Sequence, residues 1–254
     1  MLKTNSKKIL TWIYSKGEKV VFLDRKNVNR IVGNLSQAGQ RALLYHLVSQ
    51  ELIAEQRLGS ELGYYITERG RRTIEEEMLV LSPQWAAWNG SWLLIGMLEA
   101  PKFDKNFQNL RRRLVEGGAL PLGRGMYLWP SCLLVEAEKL LNKKYSSFVW
   151  LFRVEEILND KAGKTIAEKL DLQAWVEDYS GISRDISKLL GKRRAKKRLT
   201  DREIVEIYKL YDRLFFVGER ERGLISYSLK RLEKATNKSF GFEFLLGQLQ
   251  DLIS

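Results

Sequence analysis

The sequence has few of the residues from which most metal sites and nucleophilic sites are built. Its 254 residues include one cysteine, Cys132, and one histidine, His46. A single cysteine excludes an internal disulfide and a cysteine zinc cluster. A single histidine lacks the partners that a metal site or a catalytic triad needs. We therefore predict no cofactor and no catalytic residue, and we interpret His46 as a surface or core-edge residue.

Proline and long apolar runs are also scarce. The chain has 4 prolines, so we expect few long coil linkers. No stretch approaches the roughly 18 apolar residues of a membrane span. The first residues lack the apolar segment of a signal peptide. The sequence therefore predicts a cytoplasmic protein with no membrane partner.

Positive charge is what the chain has in excess. Lysine and arginine total 43, aspartate and glutamate total 31, and the formal net charge is +12. Apolar residues make up 44% of the chain, which is enough to build several cores. A strongly basic chain of this kind predicts an anionic partner or a nucleic-acid surface.

Residues 1–81 have the element order of a winged helix-turn-helix domain. Three stretches with helical apolar spacing each follow a residue suited to cap a helix: Ser6, Asp24 and Ser36. Two short extended segments, Leu52–Arg57 and Gly63–Thr67, come next. In such a domain the third helix enters the major groove and the hairpin lies along the DNA backbone. The alternative is a small helical domain with an ordinary solvated face.

The third predicted helix, Gln37–Gln50, has an apolar face and a polar face. Its apolar stripe is Leu43, Leu44, Leu47 and Val48, and Gln40 falls inside that stripe without an evident reason. On the opposite face small residues would let a backbone approach, and Arg41 can contact phosphate or guanine. The residues predicted to contact DNA in this segment are Gln37, Arg41, Tyr45, His46, Ser49, Arg57, Arg69 and Arg71.

Residues 82–160 predict a second domain that alternates strands and helices. The predicted elements are a strand at Trp92–Leu98, a helix through Phe107, Leu110 and Leu114, a strand at Met126–Trp129, a helix at Glu136–Leu141 and a strand at Phe148–Val154. A further strand could lie within Gly118–Leu122. This order fits a small ferredoxin-like domain, so the chain as a whole is predicted to be α+β.

Residues 161–254 predict a helical C-terminal domain that contains a dense basic run. Lys188–Arg198 carries seven positive charges in eleven residues. Such a run usually marks a solvated tail or a mobile linker between helices. It can equally bind the DNA backbone. In that case the phosphate contacts come from Lys192, Arg193, Arg194, Lys196 and Lys197.

Several separated segments resemble the PaaX family of bacterial transcriptional repressors. The central segments are WNGSWLLIGMLEAP, LRRRLVEGG and LGRGMYLWP, the N-terminal one is QRALLYHLVSQELI, and LDLQAWVEDYSGI follows the central domain. The resemblance implies a winged helix, a central domain similar to Cas2, and a homodimer that represses transcription on a palindromic double-stranded operator. It also implies an effector of the acyl-coenzyme A type, although past Leu189 the chain lacks the proline-rich stretch of the family.

The likeness to Cas2 leaves a second function open. A Cas2-like protein would be a CRISPR-associated DNA-binding or integration-complex subunit, and it could be a metal-dependent nuclease. A nuclease needs clustered carboxylates to hold Mg²⁺. Glu99 lies at the end of the predicted strand, where such an acid would be needed, but the next acid along the chain is Asp104. Glu99 is therefore the one candidate metal ligand, and an isolated acid more often caps a helix or pairs with a cation.

Overall fold

The structure is a computed structural model that describes residues 2–15, 20–58, 61–83, 91–97, 104–117, 119–123, 125–145, 148–156, 166, 168, 171–196, 198–220 and 241–253. Its helices and two antiparallel sheets confirm the predicted α+β class. The chain divides into two compact units. The first combines Met1–Ser82, Glu177–Glu221 and Leu232–Ser254, and the second combines Pro83–Val176 and Arg222–Arg231. The C-terminal helices thus share a unit with the N-terminal segment.

The N-terminal part of the first unit contains helices and a three-stranded sheet. Its elements are α1 (Thr4–Trp12), β1 (Leu23–Asp24), α2 (Arg25–Ile31), α3 (Gln37–Ser49), β2 (Ile53–Leu58), β3 (Glu61–Ile66) and α4 (Glu68–Glu77). The antiparallel sheet has the order β1-β3-β2. The predicted caps Asp24 and Ser36 are confirmed. The predicted cap Ser6 is wrong, because α1 already begins at Thr4 and Ser6 is buried within it.

The second unit is built on a four-stranded sheet. Its elements are β4 (Trp92–Met97), α5 (Lys105–Glu116), β5 (Leu120–Gly123), β6 (Met126–Pro130), α6 (Leu134–Tyr145) and β7 (Val149–Val154). The antiparallel strand order is β5-β6-β4-β7. The strand expected between Gly118 and Leu122 is confirmed as β5. Both crossovers contain a helix, so strands that are distant in sequence become neighbours.

The described part of the C-terminal segment contains three helices: α7 (Leu172–Lys196), α8 (Asp201–Arg220) and α9 (Phe242–Ile253). From Glu177 onward α7 belongs to the first unit. Two ion pairs, from Asp185 to Arg213 at 3.3 Å and from Lys192 to Glu203 at 3.9 Å, show that α7 and α8 run antiparallel. The C-terminal end of α7 therefore lies beside the first turn of α8.

Helix α1 is enclosed by other elements of the first unit. The Trp12 ring lies 5.1 Å from the Tyr208 ring and 4.8 Å from the Tyr211 ring, centroid to centroid. At the end of α1 the Gln250 amide donates to the carbonyl oxygens of Trp12 and Tyr14 at 2.6 and 2.8 Å. The bond to Trp12 satisfies a carbonyl that the helix end leaves without a partner, and the bond to Tyr14 satisfies one in the segment that follows. Helices α8 and α9 therefore complete the core around the N-terminal helix.

The contact between α8 and α9 generates a stability prediction. A Cβ atom on Gly218 would lie 2.3 Å from the ring of Phe242, which is 2% exposed. We expect Gly218→Ala to lower the free energy of unfolding by about 1–3 kcal/mol, the usual cost of overpacking a core. The matched control is Gly247→Ala in α9, where a Cβ meets nothing within 4 Å. Helix propensity predicts that the control is neutral or gains up to about 1 kcal/mol. Equal urea midpoints for the two variants would contradict this packing.

Candidate nucleic-acid interface

Helix α3 begins at its predicted cap, and two of the four residues predicted for its apolar stripe are buried. The Ser36 hydroxyl oxygen accepts a hydrogen bond from the Gly39 amide at 3.2 Å and starts the helix. Leu44 and Leu47 are buried at 6% and 0% exposure, whereas Leu43 lies at an intermediate depth. The helix is therefore anchored along one stripe, and the side chains on the other face are left to solvent.

The buried polar residue of that stripe has a structural role. The Gln40 side-chain amide donates to the Asn29 side-chain oxygen at 2.9 Å and to the Leu35 carbonyl at 3.1 Å. A buried amide is tolerated when its hydrogen bonds are made. Gln40 therefore ties α3 to α2 and fixes the angle at which the exposed face of α3 is presented.

The end of α3 is closed by a tight turn with an unusual residue. Glu51 has φ = 57°, in the left-handed region. The Glu51 amide donates to the Val48 carbonyl at 2.8 Å, and the Leu52 amide donates to the Leu47 carbonyl at 3.0 Å. This is the Schellman pattern, in which glycine usually holds the left-handed position. The turn directs the chain from α3 straight into β2.

All five predicted residues of α3 are exposed. These residues are Gln37, Arg41, Tyr45, His46 and Ser49. Tyr45 has 77% of its surface exposed, the largest value among the exposed large apolar and aromatic side chains described. The Ser49 hydroxyl donates to the His46 carbonyl at 2.9 Å, so its proton is used within the helix. Arg41 and Tyr45, one turn apart, are left as the prominent contact groups.

A groove of about 790 Å³ lies beside this face of α3. Arg41 and Tyr45 line it from α3, and Arg25 and Lys26 line it from the start of α2. These two cations were not among the residues predicted to contact DNA. Their position directly after the Asp24 cap was the signal in the sequence that places them in the first turn of a helix. The exposed face of α3 and the first turn of α2 thus form one basic surface.

The groove is also lined by one acid, Glu55, which reduces its positive charge, and by one buried tyrosine, Tyr64. Tyr64 is 3% exposed, and Glu55 lies opposite it in the strand register. Burial is the largest cause that raises the pKa of Tyr64, and a hydrogen bond with Arg25 opposes it. The Glu55 carboxylate also raises that pKa. The Tyr64 hydroxyl therefore links the first arginine of α2 to an acid of the sheet.

The three predicted arginines outside α3 lie in different surroundings. Arg57 is exposed on β2. Arg69 is exposed on α4, and its guanidinium pairs with the Glu51 carboxylate at 3.1 Å. The Arg71 guanidinium donates to the Ser15 carbonyl and lies 5.4 Å from the centre of the Tyr14 ring. Arg71 therefore stabilises the fold. Of the three arginines, Arg57 is the one most available to contact a phosphate.

The basic run of the C-terminal segment is helical. Helix α7 extends to Lys196, and only Arg198 of the later basic residues lies among the described ones. The interpretation of residues 188–196 as a mobile linker is therefore wrong. The run supplies helix-forming lysines, arginines and an alanine, and Leu189 anchors it at 1% exposure.

Within that helix the cations have different partners. Lys188 pairs with Asp185 at 3.2 Å, and hydrogen bonding by Lys188 is the largest cause that lowers the pKa of this carboxyl. Lys192 lies 3.9 Å from Glu203, and Arg193 donates to the Asp251 carbonyl. Arg194 is exposed. The Lys196 side chain and Lys197 lie outside the described residues.

The acidic residues that were candidate metal ligands form no metal site among the described residues. Glu99 lies outside the described residues. The Asp104 carboxylate accepts a hydrogen bond from the Asn106 backbone amide at 2.7 Å and caps α5. Within the described ranges no three histidine, cysteine or acidic residues are grouped so that they could hold a metal ion. In the same ranges no helix has the length and apolarity needed to cross a membrane.

Comparison with known proteins gives little further information. No family model matches the chain, and no curated protein matches it. Among solved structures, the uncharacterized protein Rv0674 from Mycobacterium tuberculosis aligns over 96% of this chain and 95% of its own, with 16% identity and a TM-score of 0.49.

The contacts of Arg71 generate a prediction that distinguishes a stabilising role in the fold from a role in DNA binding. Arg71→Ala removes a hydrogen bond to a carbonyl and a contact between a cation and a ring. We expect it to lower the free energy of unfolding by about 1–3 kcal/mol. Arg57→Ala, the control, removes the same charge from an exposed strand position and should stay within about 0.5 kcal/mol of the parent. Chemical denaturation of both variants measures the difference, and an unchanged Arg71→Ala variant would contradict the assigned role.

Proposed function

We propose that this protein is a DNA-binding transcriptional repressor of the PaaX type that acts as a dimer on a palindromic operator. One observation carries the proposal: α3 presents Arg41 and Tyr45 to solvent beside a groove that Arg25 and Lys26 line. The sequence resemblance supports it, because the quoted segments include residues of α3, of α5 and the sheet in the second unit, and of α7. An acyl-coenzyme A effector stays a prediction from that resemblance.

The order of elements supports the same interpretation. Three helices followed by a two-stranded antiparallel hairpin is the order of a winged helix-turn-helix domain, and α3 takes the place of the recognition helix. In the second unit, β-α-β-β-α-β with the strand order β5-β6-β4-β7 is the split arrangement of ferredoxin-like domains. This is the arrangement expected of a Cas2-like central domain.

In the proposed interface, different residues contact the bases and the phosphates of DNA. Arg41 is suited to a guanine edge, because its planar guanidinium can donate two hydrogen bonds to that base. Tyr45 offers a ring for apolar contact and a hydroxyl for hydrogen bonding. Arg25, Lys26 and Arg57 are assigned to phosphates, which position a protein on DNA without reading its sequence.

A dimer follows from the size of the recognition element. One helix in one major groove covers a short site, whereas a two-fold pair covers two half-sites one or more helical turns apart. A symmetric dimer also explains why an operator would be palindromic. The basic end of α7 would then add phosphate contacts, with Arg194 as the leading described residue.

The first DNA-binding prediction concerns α3. Arg41→Ala and Tyr45→Ala should each weaken binding to a selected site by about 1–3 kcal/mol, the range for a good base contact. Arg72→Ala is the control for Arg41→Ala, because Arg72 is an exposed arginine that pairs with Glu68 within α4 and is not assigned to any DNA contact. Titration with the selected site and with a scrambled site measures affinity and specificity. The assignment fails if both α3 variants bind the two sites as the parent does.

The second DNA-binding prediction concerns the basic end of α7. Replacing Arg194, Lys196 and Lys197 by glutamine should weaken specific and non-specific binding equally. The slope of log affinity against log salt should fall by about 0.9 for each phosphate that the variant no longer neutralises. The control replaces Arg111, Arg112 and Arg113 of α5 by glutamine, which removes the same charge elsewhere. If the two triple variants have the same salt slope, the effect comes from net charge alone and α7 does not contact DNA.

Selection of genomic DNA on the purified protein, followed by footprinting, tests the function as a whole. A short palindrome protected on both half-sites is the expected result for a repressor. Binding that depends on DNA length and selects no motif would favour the Cas2-like alternative, an integration-complex subunit or a nuclease. Cleavage of the bound DNA in the presence of Mg²⁺ would also contradict the proposal.

A further inference from the structure

The basic groove beside α3 contains an acid whose presence requires an explanation. Arg25, Lys26 and Arg41 supply the cations of the groove, and Glu55 is the one acid among the described residues that line it. A carboxylate close to DNA is repelled by the phosphates, whose charge dominates the affinity of proteins for DNA. A groove that only attracted phosphates would therefore have no acid at this position.

The sheet register places Glu55 beside Tyr64. Glu55 of β2 is paired directly with Tyr64 of β3. Directly paired residues of antiparallel strands lie on the same face of the sheet, with Cβ atoms roughly 4.5–5.5 Å apart. Both side chains therefore lie on the face of the sheet that borders the groove, and both residues line it.

The same register brings Arg25 to Tyr64 from the other side. Strand β3 lies between β1 and β2, and Tyr64 is paired with Leu23 of β1. Strand β1 ends at Asp24, and Arg25 follows directly as the first residue of α2. The central strand thus carries a tyrosine with an acid from β2 on one side and the first arginine of α2 on the other.

Tyr64 is the fixed member of this cluster. It is 3% exposed, whereas Arg25 and Glu55 are both exposed. The Tyr64 hydroxyl makes hydrogen bonds with Arg25 and with Glu55. A phenol can make both at once, because its oxygen accepts from the guanidinium while its proton is donated to the carboxylate. Burial raises the pKa of Tyr64, so the hydroxyl keeps this proton at neutral pH.

An arginine that is held in this way is prepared for a phosphate. A long, exposed side chain loses rotamer freedom when it contacts DNA, and this loss weakens binding. Arg25 has already lost part of that freedom, because a buried hydroxyl accepts a hydrogen bond from it. A guanidinium has five N–H donors, so Arg25 can keep the bond to Tyr64 and donate others to a phosphate.

We propose that Tyr64 positions Arg25 for a DNA phosphate, and that Glu55 is the counter-anion that this phosphate replaces. In the free protein Glu55 compensates the charge of Arg25 through the hydroxyl that they share. In the complex the phosphate compensates that charge, and Glu55 becomes a like charge that limits the affinity. The inference rests on the DNA binding of the proposed function, but neither on base recognition by α3 nor on a dimer.

Titration of the full chain with a duplex of scrambled sequence, at several salt concentrations, tests the positioning role. Phosphate contacts do not depend on sequence, so such a duplex reports them. Arg25→Gln should lower the slope of log affinity against log salt by about 0.9. Tyr64→Phe removes one oxygen atom and should weaken binding about two- to tenfold, the range for one lost hydrogen bond. In the Arg25→Gln background Tyr64→Phe should have no effect, because the group that it positions is absent.

Tyr65→Phe is the matched control for Tyr64→Phe. Tyr65 is the next residue of β3, so its side chain points to the other face of the sheet. Its ring there lies 5.9 Å from the Phe22 ring, centroid to centroid. The control variant should bind the duplex as the parent does. Circular dichroism and the urea midpoint establish that each variant folds.

Glu55→Gln tests the role of the acid. It should strengthen binding about two- to fivefold, the range for an interaction between exposed charges. Glu76→Gln is the matched control, because it removes the same charge from an exposed position of α4. Salt screens charges that are distant from the bound DNA, so the control should change the affinity less.

The results that would overturn the proposal differ from those that would overturn the proposed function. Equal weakening by Tyr64→Phe in the parent and in Arg25→Gln shows that Tyr64 acts through the fold and not through Arg25. An unchanged salt slope in Arg25→Gln shows that Arg25 contacts no phosphate. Equal gains from Glu55→Gln and Glu76→Gln show an effect of net charge alone. Selection of no palindromic site contradicts only the proposed function, whereas a parent that binds no duplex DNA contradicts both.

Discussion

The first unit depends on a lysine that is held inside it by two acids. The Lys7 ammonium lies 3.4 Å from the Glu77 carboxylate of α4 and 3.2 Å from the Glu219 carboxylate of α8, and its side chain is 9% exposed. A charge so deeply placed costs a large desolvation energy unless its partners stay in position. Helices α1, α4 and α8 must therefore keep one arrangement. The neighbouring Lys8 forms a similar ion pair, with the Asp212 carboxylate at 2.7 Å.

That constraint reaches the proposed interface through a short series of contacts. The Arg30 guanidinium of α2 lies 5.7 Å from the centre of the Tyr208 ring of α8, so α8 supports α2 directly. Asn29, the preceding residue of α2, receives the hydrogen bond from Gln40 of α3. The angle of α3 is thus set by a helix that lies more than 150 residues later in the chain. This explains why the C-terminal helices belong to the same compact unit as the N-terminal segment.

Local patterns in the sequence predicted the elements but not the contacts that join them. Ser36, the apolar stripe of α3 and the strands that follow it were predictable, because capping and periodicity act over a few residues. Gln40 looked like an error in the stripe, since its partner Asn29 lies on another helix. The ion pair of Lys7 with Glu219 joins residues that are 212 positions apart in the chain. No periodic pattern in the sequence indicates a contact at such a distance. The basic run was ambiguous for a related reason: its charge density is typical of linkers, whereas Leu189 anchors it as helix.

The distribution of charge explains why dimerisation and DNA binding would need different surfaces. Two copies of a chain with a formal net charge of +12 repel each other. A contact between copies that contains basic side chains adds to that repulsion unless acidic side chains pair with them. Salt screens the repulsion between copies, whereas it weakens binding to phosphates. The dimer of the proposed function and its binding to phosphates would therefore respond to salt in opposite directions. Bound DNA supplies the counter-charge that salt supplies to the free protein, so the operator itself would favour the dimer that reads it.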